Sequence, residues 1–320
     1  MPEDTPSVVP NPSVFVFAPS PLLTVTIECA PDGSDELHVH AGGQGVWIAR
    51  MAATLGAEAT LCGVFGGETG RIVRHALEYE GISVRGVDTS GANGGYVHDR
   101  RGGERVPIAQ VDPTVLTRHE ADDLFALSLE SGLCSDVAVL GGPHSDTTVP
   151  PEMYGRLARD LHAMGIPVVA DLSGPTLTSV LAGSPTVLKV AHDDLIEDGR
   201  AASDDAATLE QSMRRLAEEG ARNVVVSRAG EPALALVDDR FWEVTAPPLT
   251  SVDHRGAGDS MTAGIATALA RGESLIDALR WGAAVGAMNI TRRGLATGRR
   301  DLATRLVGSV GIRRADGEES

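Results

Sequence analysis

The sequence predicts an α/β fold, with a mostly parallel central sheet, helices on both faces and a small second sheet. Three observations carry this. Short β-branched runs, apolar on both faces, alternate with longer helical patterns over most of the chain. Two pairs of alternating segments break that rhythm around turn signals. Three glycine-rich turns stand at junctions that lead into helices.

The apolar runs are Val14–Ala18, Ala59–Phe65, Asp136–Leu140, Pro167–Leu172, Thr186–Val190, Asn223–Ser227 and Ala233–Val237. Strands apolar on both faces suit a parallel sheet covered on both sides. Candidate helices fall at about 46–55, 70–80, 117–131, 151–164, 205–219, 259–271, 274–292 and 300–308. The fourth follows two prolines, a good helix start, and the fifth runs into Gly220, a good C-terminal stop. Strand–helix alternation of this kind argues for an open sheet with helices on both faces.

The two exceptions are hairpin-like. Leu23–Glu28 and Glu36–His40 flank Pro31-Asp32-Gly33-Ser34-Asp35, and Gly95–Asp99 and Glu104–Ala109 flank Arg100-Arg101-Gly102-Gly103. Alternation implies one solvated face, so these four strands are expected to project as a small sheet over about 22–40 and 93–110. Residues 1–12 and 313–320 are expected to be loose tails.

Composition narrows the partners. The chain of 320 residues carries 44 acidic against 27 basic side chains, a formal charge of −17. Such a surface repels phosphate backbones and anionic membranes, so neither nucleic acid nor a membrane is an expected partner. Hydrophobic residues at 42% and charged ones at 22% indicate a globular chain. Aromatics at 3% leave the core to Ala, Val and Leu. Lys189 is the sole lysine, and the other basic residues are arginines. Cys29, Cys62 and Cys134 have neither disulfide-framework nor metal-knuckle spacing and read as three small buried hydrophobes. Met1-Pro2-Glu3-Asp4 is no signal-peptide start, and no run of about 18 apolar residues exists. A cytoplasmic protein is the expectation.

The strongest chemical signal is Asp253-His254-Arg255-Gly256-Ala257-Gly258-Asp259-Ser260-Met261, just before a helical pattern. Glycines at a helix start free N–H groups to face an anion, and the helix dipole adds to this. Gly256, Ala257 and Gly258 could cradle a transferring phosphoryl group. Asp259 is badly placed to bind that anion and well placed to take a proton from an attacking hydroxyl. Taken alone, a glycine turn with an Asp N-cap is the simpler account. Ala41-Gly42-Gly43-Gln44-Gly45 and Gly63-Val64-Phe65-Gly66-Gly67-Glu68-Thr69-Gly70 make two further turns, and ligands bind at such junctions in α/β sheets.

With these motifs the sequence resembles the ribokinase-like sugar kinases, also called the phosphofructokinase B family, over roughly residues 14–308. Within it the chain is most similar to the 1-phosphofructokinase and tagatose-6-phosphate kinase branch. The Asp253-x-x-Gly-Ala-Gly-Asp-Ser motif and the later Ile290-Thr291-Arg292-Arg293-Gly294 carry the resemblance, with the 42–45 motif about 210 residues upstream at the sugar-binding signature. The resemblance implies one three-layer α/β/α ribokinase-like domain over 1–320 with a β-sheet lid. It implies an ATP- and Mg²⁺-dependent kinase acting on a hydroxyl of a sugar or sugar phosphate. Asp259 would be the base and Gly256, Ala257 and Gly258 the anion hole. Lys189, Ser227, Ala229, Gly230 and Asn289 would border the nucleotide, and Gly42, Gly43, Gln44, Trp47 and Asn93 the sugar. Asp194 would stand near the metal. The lid would close over the sugar and pair two subunits into a homodimer.

The chain departs from the branch on the substrate side. Where the branch reads Asn-Pro-Ala-x-Asp, this chain reads Ala18-Pro19-Ser20-Pro21-Leu22, so Leu22 replaces an acid. In the signature Gly-Gly-Lys-Gly-x-Asn, Gln44 replaces the Lys and Trp47 the Asn. Asn93 falls where the branch has an arginine for the sugar phosphate. Lys-Pro-Asn-x-x-Glu becomes Lys189-Val190-Ala191-His192-Asp193-Asp194, and Gly-Ser-Leu-Pro becomes Gly141-Gly142-Pro143-His144-Ser145-Asp146. Two cations and an acid lost from the sugar site weigh against a phosphorylated acceptor. Unphosphorylated sugars and nucleosides stay open as acceptors, as does a catalytically weak ligand-binding protein on the same fold. Arg100, Arg101 and Arg105 could replace the lost charge, though solvated hairpin charges are the plainer reading. His192 could meet a phosphate but reads as a surface histidine. His38 and His40 share a strand face and read as lid-surface residues rather than a metal pair.

Overall fold

Val14 and Val16 pack into one hydrophobic core and Phe15 and Phe17 into another. That is the period of two expected of a strand covered on both faces, and it sets the layers of the molecule. The computed structural model describes residues 11–143, 148–292, 294 and 296–314. Residues 1–10 and 315–320 of the two tails, His144-Ser145-Asp146 of the altered loop, and Arg293 lie outside the described residues.

The chain runs β1 (Ser13–Phe17), β2 (Leu22–Cys29), β3 (Asp35–Gly42), α1 (Gln44–Thr54), β4 (Glu58–Gly66), α2 (Gly67–Tyr79) and β5 (Ser83–Thr89). It continues with β6 (Gly95–Asp99), β7 (Val106–Val111), α3 (Arg118–Leu133), β8 (Val137–Gly141), α4 (Glu152–Ala163), β9 (Val168–Asp171), α5 (Gly174–Leu181), β10 (Val187–Ala191) and α6 (His192–Glu197). It ends with α7 (Ala206–Glu218), β11 (Val224–Arg228), β12 (Glu231–Val237), β13 (Arg240–Thr245), α8 (Ala257–Ala270), α9 (Leu275–Asn289), α10 (Arg300–Val307) and β14 (Gly311–Arg314).

The large sheet has the order β14-β13-β12-β11-β10-β9-β8-β1-β4-β5. From β5 to β11 every pairing is parallel, and β12, β13 and β14 extend the edge antiparallel. α1, α2, α8, α9 and α10 contribute to one core, and α3 to α7 to the other. This is the three-layer α/β/α arrangement that the alternating pattern predicts. β1 pairs with β4 on one side and β8 on the other. Its C-terminal end is therefore the switch point at which ligands enter such sheets.

The aromatic-poor core is built from small residues. α8 and α9 approach so closely that a Cβ on Gly264 would lie 2.9 Å from the Cα of Gly282. α1 is seated against β1 in the same way, since a Cβ on Gly45 would collide with that of Ala18. The start of α1 and the end of β1 are thereby held together at the switch point.

The small sheet has the order β3-β2-β6-β7. Hairpin pairs β2–β3 and β6–β7 are joined by a parallel β2–β6 contact. Four expectations need correction. Arg313 and Arg314 are not in a loose tail, because β14 pairs with β13 and Arg313 donates to Glu243 at 2.6 Å. Only Cys62 of the three cysteines is buried; Cys29 and Cys134 are exposed at the ends of β2 and α3. α8 begins at Ala257 rather than 259, and α9 ends at Asn289 rather than 292. β5, β13, α5 and α6 went unread, being too short or too mixed in pattern for periodicity to show.

Candidate active site

α8 starts abruptly. Its N-cap is Gly256, in the left-handed region at φ 72°, and no side chain caps it. Ser260 N–H is bonded to the carbonyl of Gly256 at 2.9 Å. The N–H groups before it have no partner within the helix, as at any helix start, and lie at the positive end of the dipole. Asp259 is the third residue of the helix, so the Asp N-cap account does not apply.

Asp259 lies at the floor of a cavity of about 550 Å³ at the switch point. Ala18, Ser20, Pro21 and Leu22 from the end of β1 and Gly142 and Pro143 after β8 help to line it. Gln44 spans the floor. Its Oε1 accepts from Gly142 N–H at 2.5 Å, and the other end of its amide donates to Asp259. One side chain therefore ties together the ends of β8, α1 and α8. Burial raises the Asp259 carboxyl, the neighbouring Asp171 carboxylate raises it further, and Lys189 and Gln44 only partly oppose them. The result is pushed up to about 7.

Lys189 is not a free cation facing the cavity. Its Nζ sits 3.1 Å from both carboxylate oxygens of Asp171, at 4% exposure. A Cβ on Gly258 would come within 2.7 Å of that nitrogen, so the start of α8 rests on the ammonium. Burial opposes the charge, but Asp171 and Asp259 outweigh it and hold the ammonium above its usual range. Thr262 Oγ1 completes the cluster by donating to Asp171 Oδ2 at 2.5 Å. Asp171 was not singled out from the sequence. Its signal was an acid closing the apolar run of β9, paired in register with the one lysine on β10.

The upper wall comes from the small sheet. Thr24, Tyr96, His98 and Arg105 line the cavity, and Arg255 joins them from the loop before α8. Of these only Arg105 was weighed for the site from sequence, because only the folded small sheet turns one face of β2 and β6 toward the cavity. Arg255 is bonded to Asp253 at 3.0 and 2.8 Å. Arg100 also reaches Asp253, at 3.5 Å, and Glu28, at 3.5 Å. Arg100 and Arg105 are thus not solvated hairpin charges, whereas Arg101 is exposed and paired with Asp99 and Asp35.

The remaining expected residues divide. Gly43, Gln44 and Trp47 line the cavity with Asp259 and Gly256. Gly42 sits behind them, backed onto Thr24. Asn93 is buried and fully used by backbone: Nδ2 donates to the carbonyls of Pro21 and Val64, and Oδ1 accepts from Gly66 N–H. It fixes loop geometry and has no group left for a sugar phosphate. Asn289 also meets backbone, donating to the carbonyl of Arg255 at 2.7 Å and accepting from Ala296 N–H at 2.9 Å. These bonds hold the loop ahead of α8. Ser227, Ala229 and Gly230 form the turn after β11, where Ser227 is in register with Ala191. His192 bridges to this turn through the Ser227 carbonyl and is not a plain surface residue. Asp194 is partly buried near Lys189 and Asp171; burial and Asp171 raise its carboxyl. His40 leans on Trp47, with ring centres 5.8 Å apart, and its burial and two arginines lower it to about 4.

A pH profile follows. Acting as a base, Asp259 would need to be ionised to accept a proton, and a carboxyl pushed up to about 7 would switch off on the acid side of neutrality. We expect kcat/KM to fall about tenfold per unit below pH 7, measured by initial rates from pH 5 to 9. An acid limb near 4 would show that Asp259 is not the titrating base. The stability term has the opposite sense. Native Asp259 holds its proton more tightly than the unfolded chain does, so its contribution is present at low pH and is lost as pH rises towards 7.

Known proteins resemble this chain in family pattern and in fold. The family model described as pfkB family carbohydrate kinase matches residues 28–301. Phosphofructokinase-2 from Escherichia coli in complex with potassium superposes with a TM-score of 0.79 at 24% identity, covering 93% of this chain and 98% of that one. A "Possible 1-phosphofructokinase" from Thermotoga maritima gives 0.80 at 17%, covering 95% and 99%. Arabidopsis thaliana ribokinase complexed with ribose and ATP gives 0.72 at 19%, covering 93% and 99%.

Proposed function

We propose a reaction for a chain that belongs to the pfkB family of carbohydrate kinases: an acceptor hydroxyl at the cavity floor gives its proton to Asp259 and takes the terminal phosphoryl group of ATP. The acceptor oxygen bonds to the γ-phosphorus as the bond to the β–γ bridging oxygen breaks, leaving ADP. Charge that grows on the transferring group meets the N–H groups of Gly256, Ala257 and Gly258. The acceptor is a sugar or sugar derivative. The observation that carries this reading is Asp259, part-buried in the cavity with its carboxyl pushed up to about 7, in the first turn of an uncapped helix.

The chain's own residues have three tasks in this reaction. Gln44 aims Asp259 at the acceptor. The Lys189–Asp171 pair carries the helix start and tempers the rise in the Asp259 carboxyl. The small sheet closes over the acceptor and excludes water, which limits hydrolysis of ATP. The turn at Ser227, Ala229 and Gly230, beside the C-terminal end of β10, borders the nucleotide.

Magnesium fits as an ion that arrives with the nucleotide. Among the described residues no group of three or more His, Cys, Asp or Glu side chains could form a metal cage. Mg²⁺ in such sites is held by phosphates, waters and one or two carboxylates. Asp194 would be that carboxylate, and the ion would neutralise phosphate charge.

The outer face of the small sheet supports a homodimer. Val25, Val39 and Val97 are in register on that face, with Ile27, Leu37 and Val111 beside them. Leu37, Val39 and Val111 are 55–66% exposed. A continuous apolar face of this kind is self-complementary about a two-fold axis, and a second copy covers it. Val39→Asp should convert a dimer into a monomer in sedimentation velocity, and a wild-type monomer would overturn the pairing.

The direct test of the reaction is an ADP-release screen over sugars, sugar phosphates and nucleosides. ADP formed with an acceptor, and lost in Asp259→Asn, supports it. Ligand binding by calorimetry with no ADP from any acceptor would instead make the chain a binding protein on a kinase fold.

A further inference from the structure

The loop ahead of α8 is pinned mainly by its own neighbours in the main body. Val252 and Asp253 N–H donate to the carbonyl of Ile290 at 2.7 and 3.2 Å, and Asn289 Nδ2 donates to that of Arg255 at 2.7 Å. The Asp253 carboxylate gathers the rest. It is 7% exposed, accepts from Arg255 N–H at 3.2 Å and takes the Arg255 guanidinium at 3.0 and 2.8 Å. These contacts set the backbone that leads into the left-handed turn of Gly256 and so the direction of the N–H groups that follow it.

A further contact on Asp253 comes from the small sheet. Arg100, just past the end of β6, reaches Asp253 Oδ2 at 3.5 Å. Its backbone is held in the turn: its N–H donates to the Ile27 carbonyl and its own carbonyl accepts from Gly103 N–H, both at 2.8 Å. The guanidinium is therefore presented from a fixed base, part-buried beside a second cavity of about 400 Å³ that Trp47 and Thr297 also line. Two properties suit this contact to forming and breaking. Each partner keeps a counter-ion when the small sheet moves away, Arg100 in Glu28 of β2 and Asp253 in Arg255. Separation thus strands no charge, which is what makes an enclosed pair costly to break. In addition, Arg100 and Arg255 both repel Arg105, which limits how firmly the contact holds.

We propose that Arg100 is a positioning residue: seated on Asp253, it couples the closed position of the small sheet to the aim of the Gly256, Ala257 and Gly258 N–H groups. The phosphoryl site is then fully set only while the sheet covers the cavity and excludes water. Arg100 does not line the cavity that holds Asp259 and acts through Asp253. This rests on the kinase reading above and adds to it the contact that synchronises closure with transfer.

The test uses the full-length protein, Arg100→Gln and Arg100→Lys. Arg101→Gln is the control, from the same turn but paired with Asp99 and Asp35 inside the small sheet. Hydrogen exchange is followed by mass spectrometry without ligand. ADP release is measured with ATP alone and with the best acceptor among sugars, sugar phosphates and nucleosides. In Arg100→Gln the amides of residues 252–258 should exchange about 3–10-fold faster, while those of β1 and β8 and the melting temperature hold. Its kcat should fall about 10–100-fold with both KM values within about threefold, and ATP hydrolysed per transfer should rise. Arg100→Lys should recover part of the loss, and Arg101→Gln should change neither readout. Unchanged exchange at 252–258, equal acceleration across β1 and β8, or wild-type kcat would overturn the coupling and leave the kinase reading standing. If no acceptor yields ADP, the kinase reading fails and exchange alone decides. Faster exchange at 252–258, with β1 and β8 unchanged, that Arg100→Lys reverses upholds the hold of Arg100 on the loop, and unchanged exchange rejects it.

Discussion

Asp259→Asn should lower phosphoryl transfer by about 10²–10⁴-fold while nucleotide affinity stays within about twofold. The amide keeps the size and the hydrogen bond to Gln44 but cannot take the acceptor proton. The backbone N–H groups at the start of α8 are untouched. The same variant has a second expected signature. Native Asp259 is ionised above about pH 7 at a cost, because it is buried and near Asp171. Removing that charge should leave the melting temperature at pH 8 equal to or above that of wild type, with the gap closing as pH falls towards 5. Turnover is read by coupled ADP release and affinity by calorimetry. Wild-type turnover in a folded variant would remove Asp259 from the role of base.

Lys189→Met should be the most destabilising single change in this region. It leaves the Asp171 carboxylate buried with only Thr262 for a partner, and removes the cation that offsets Asp194 and Asp259. Breaking a buried pair by deleting one side costs about 3–5 kcal/mol. The urea midpoint at pH 8 should fall accordingly and recover in part at pH 5, where orphaned carboxylates can protonate. Asp171→Asn combined with Lys189→Met should cost less than the sum of the two single changes, since the double variant strands no charge. Any activity left in Lys189→Met should show its acid limb above pH 7, because the cation no longer opposes protonation of Asp259. An unchanged midpoint would mean that the ammonium is not buried against Asp171.

The two variants separate roles that sit side by side in the fold. In the proposed reaction one would meet the reacting hydroxyl, and the other would hold the helix start whose N–H groups face the transferring phosphoryl group. Loss of activity without loss of stability and loss of stability without a direct chemical role are opposite outcomes, so a common structural defect cannot explain both.

Much of the site is written locally. Gly256, Ala257, Gly258 and Asp259 can be read in sequence because a helix start is a short-range event: glycine geometry, an uncapped turn and an acid three residues on lie within one stretch. The seven apolar runs are equally legible, since a strand buried on both faces leaves a continuous hydrophobic signature. β5, β13 and β14 are not, because edge and half-exposed strands mix polar and apolar residues without a clear period. Asn93 and Asn289 mislead for a different reason. An asparagine has donors and an acceptor suited to a ligand or to backbone, and only the surrounding chain decides which it meets. In both cases the partners are carbonyls and N–H groups of loops that approach the site.

The sequence by itself determined the layered α/β architecture, the small second sheet and the helix start that carries Asp259, because each is encoded by periodicity or turn chemistry within a few residues. Only the tertiary structure decided where the charges go. It buried the solitary lysine against Asp171, set Gln44 between Gly142 and Asp259, and brought Arg105 from the small sheet to the cavity wall beside His98. Electrostatic partnership depends on which distant segments are folded against one another and how much water they exclude, and no local pattern records either.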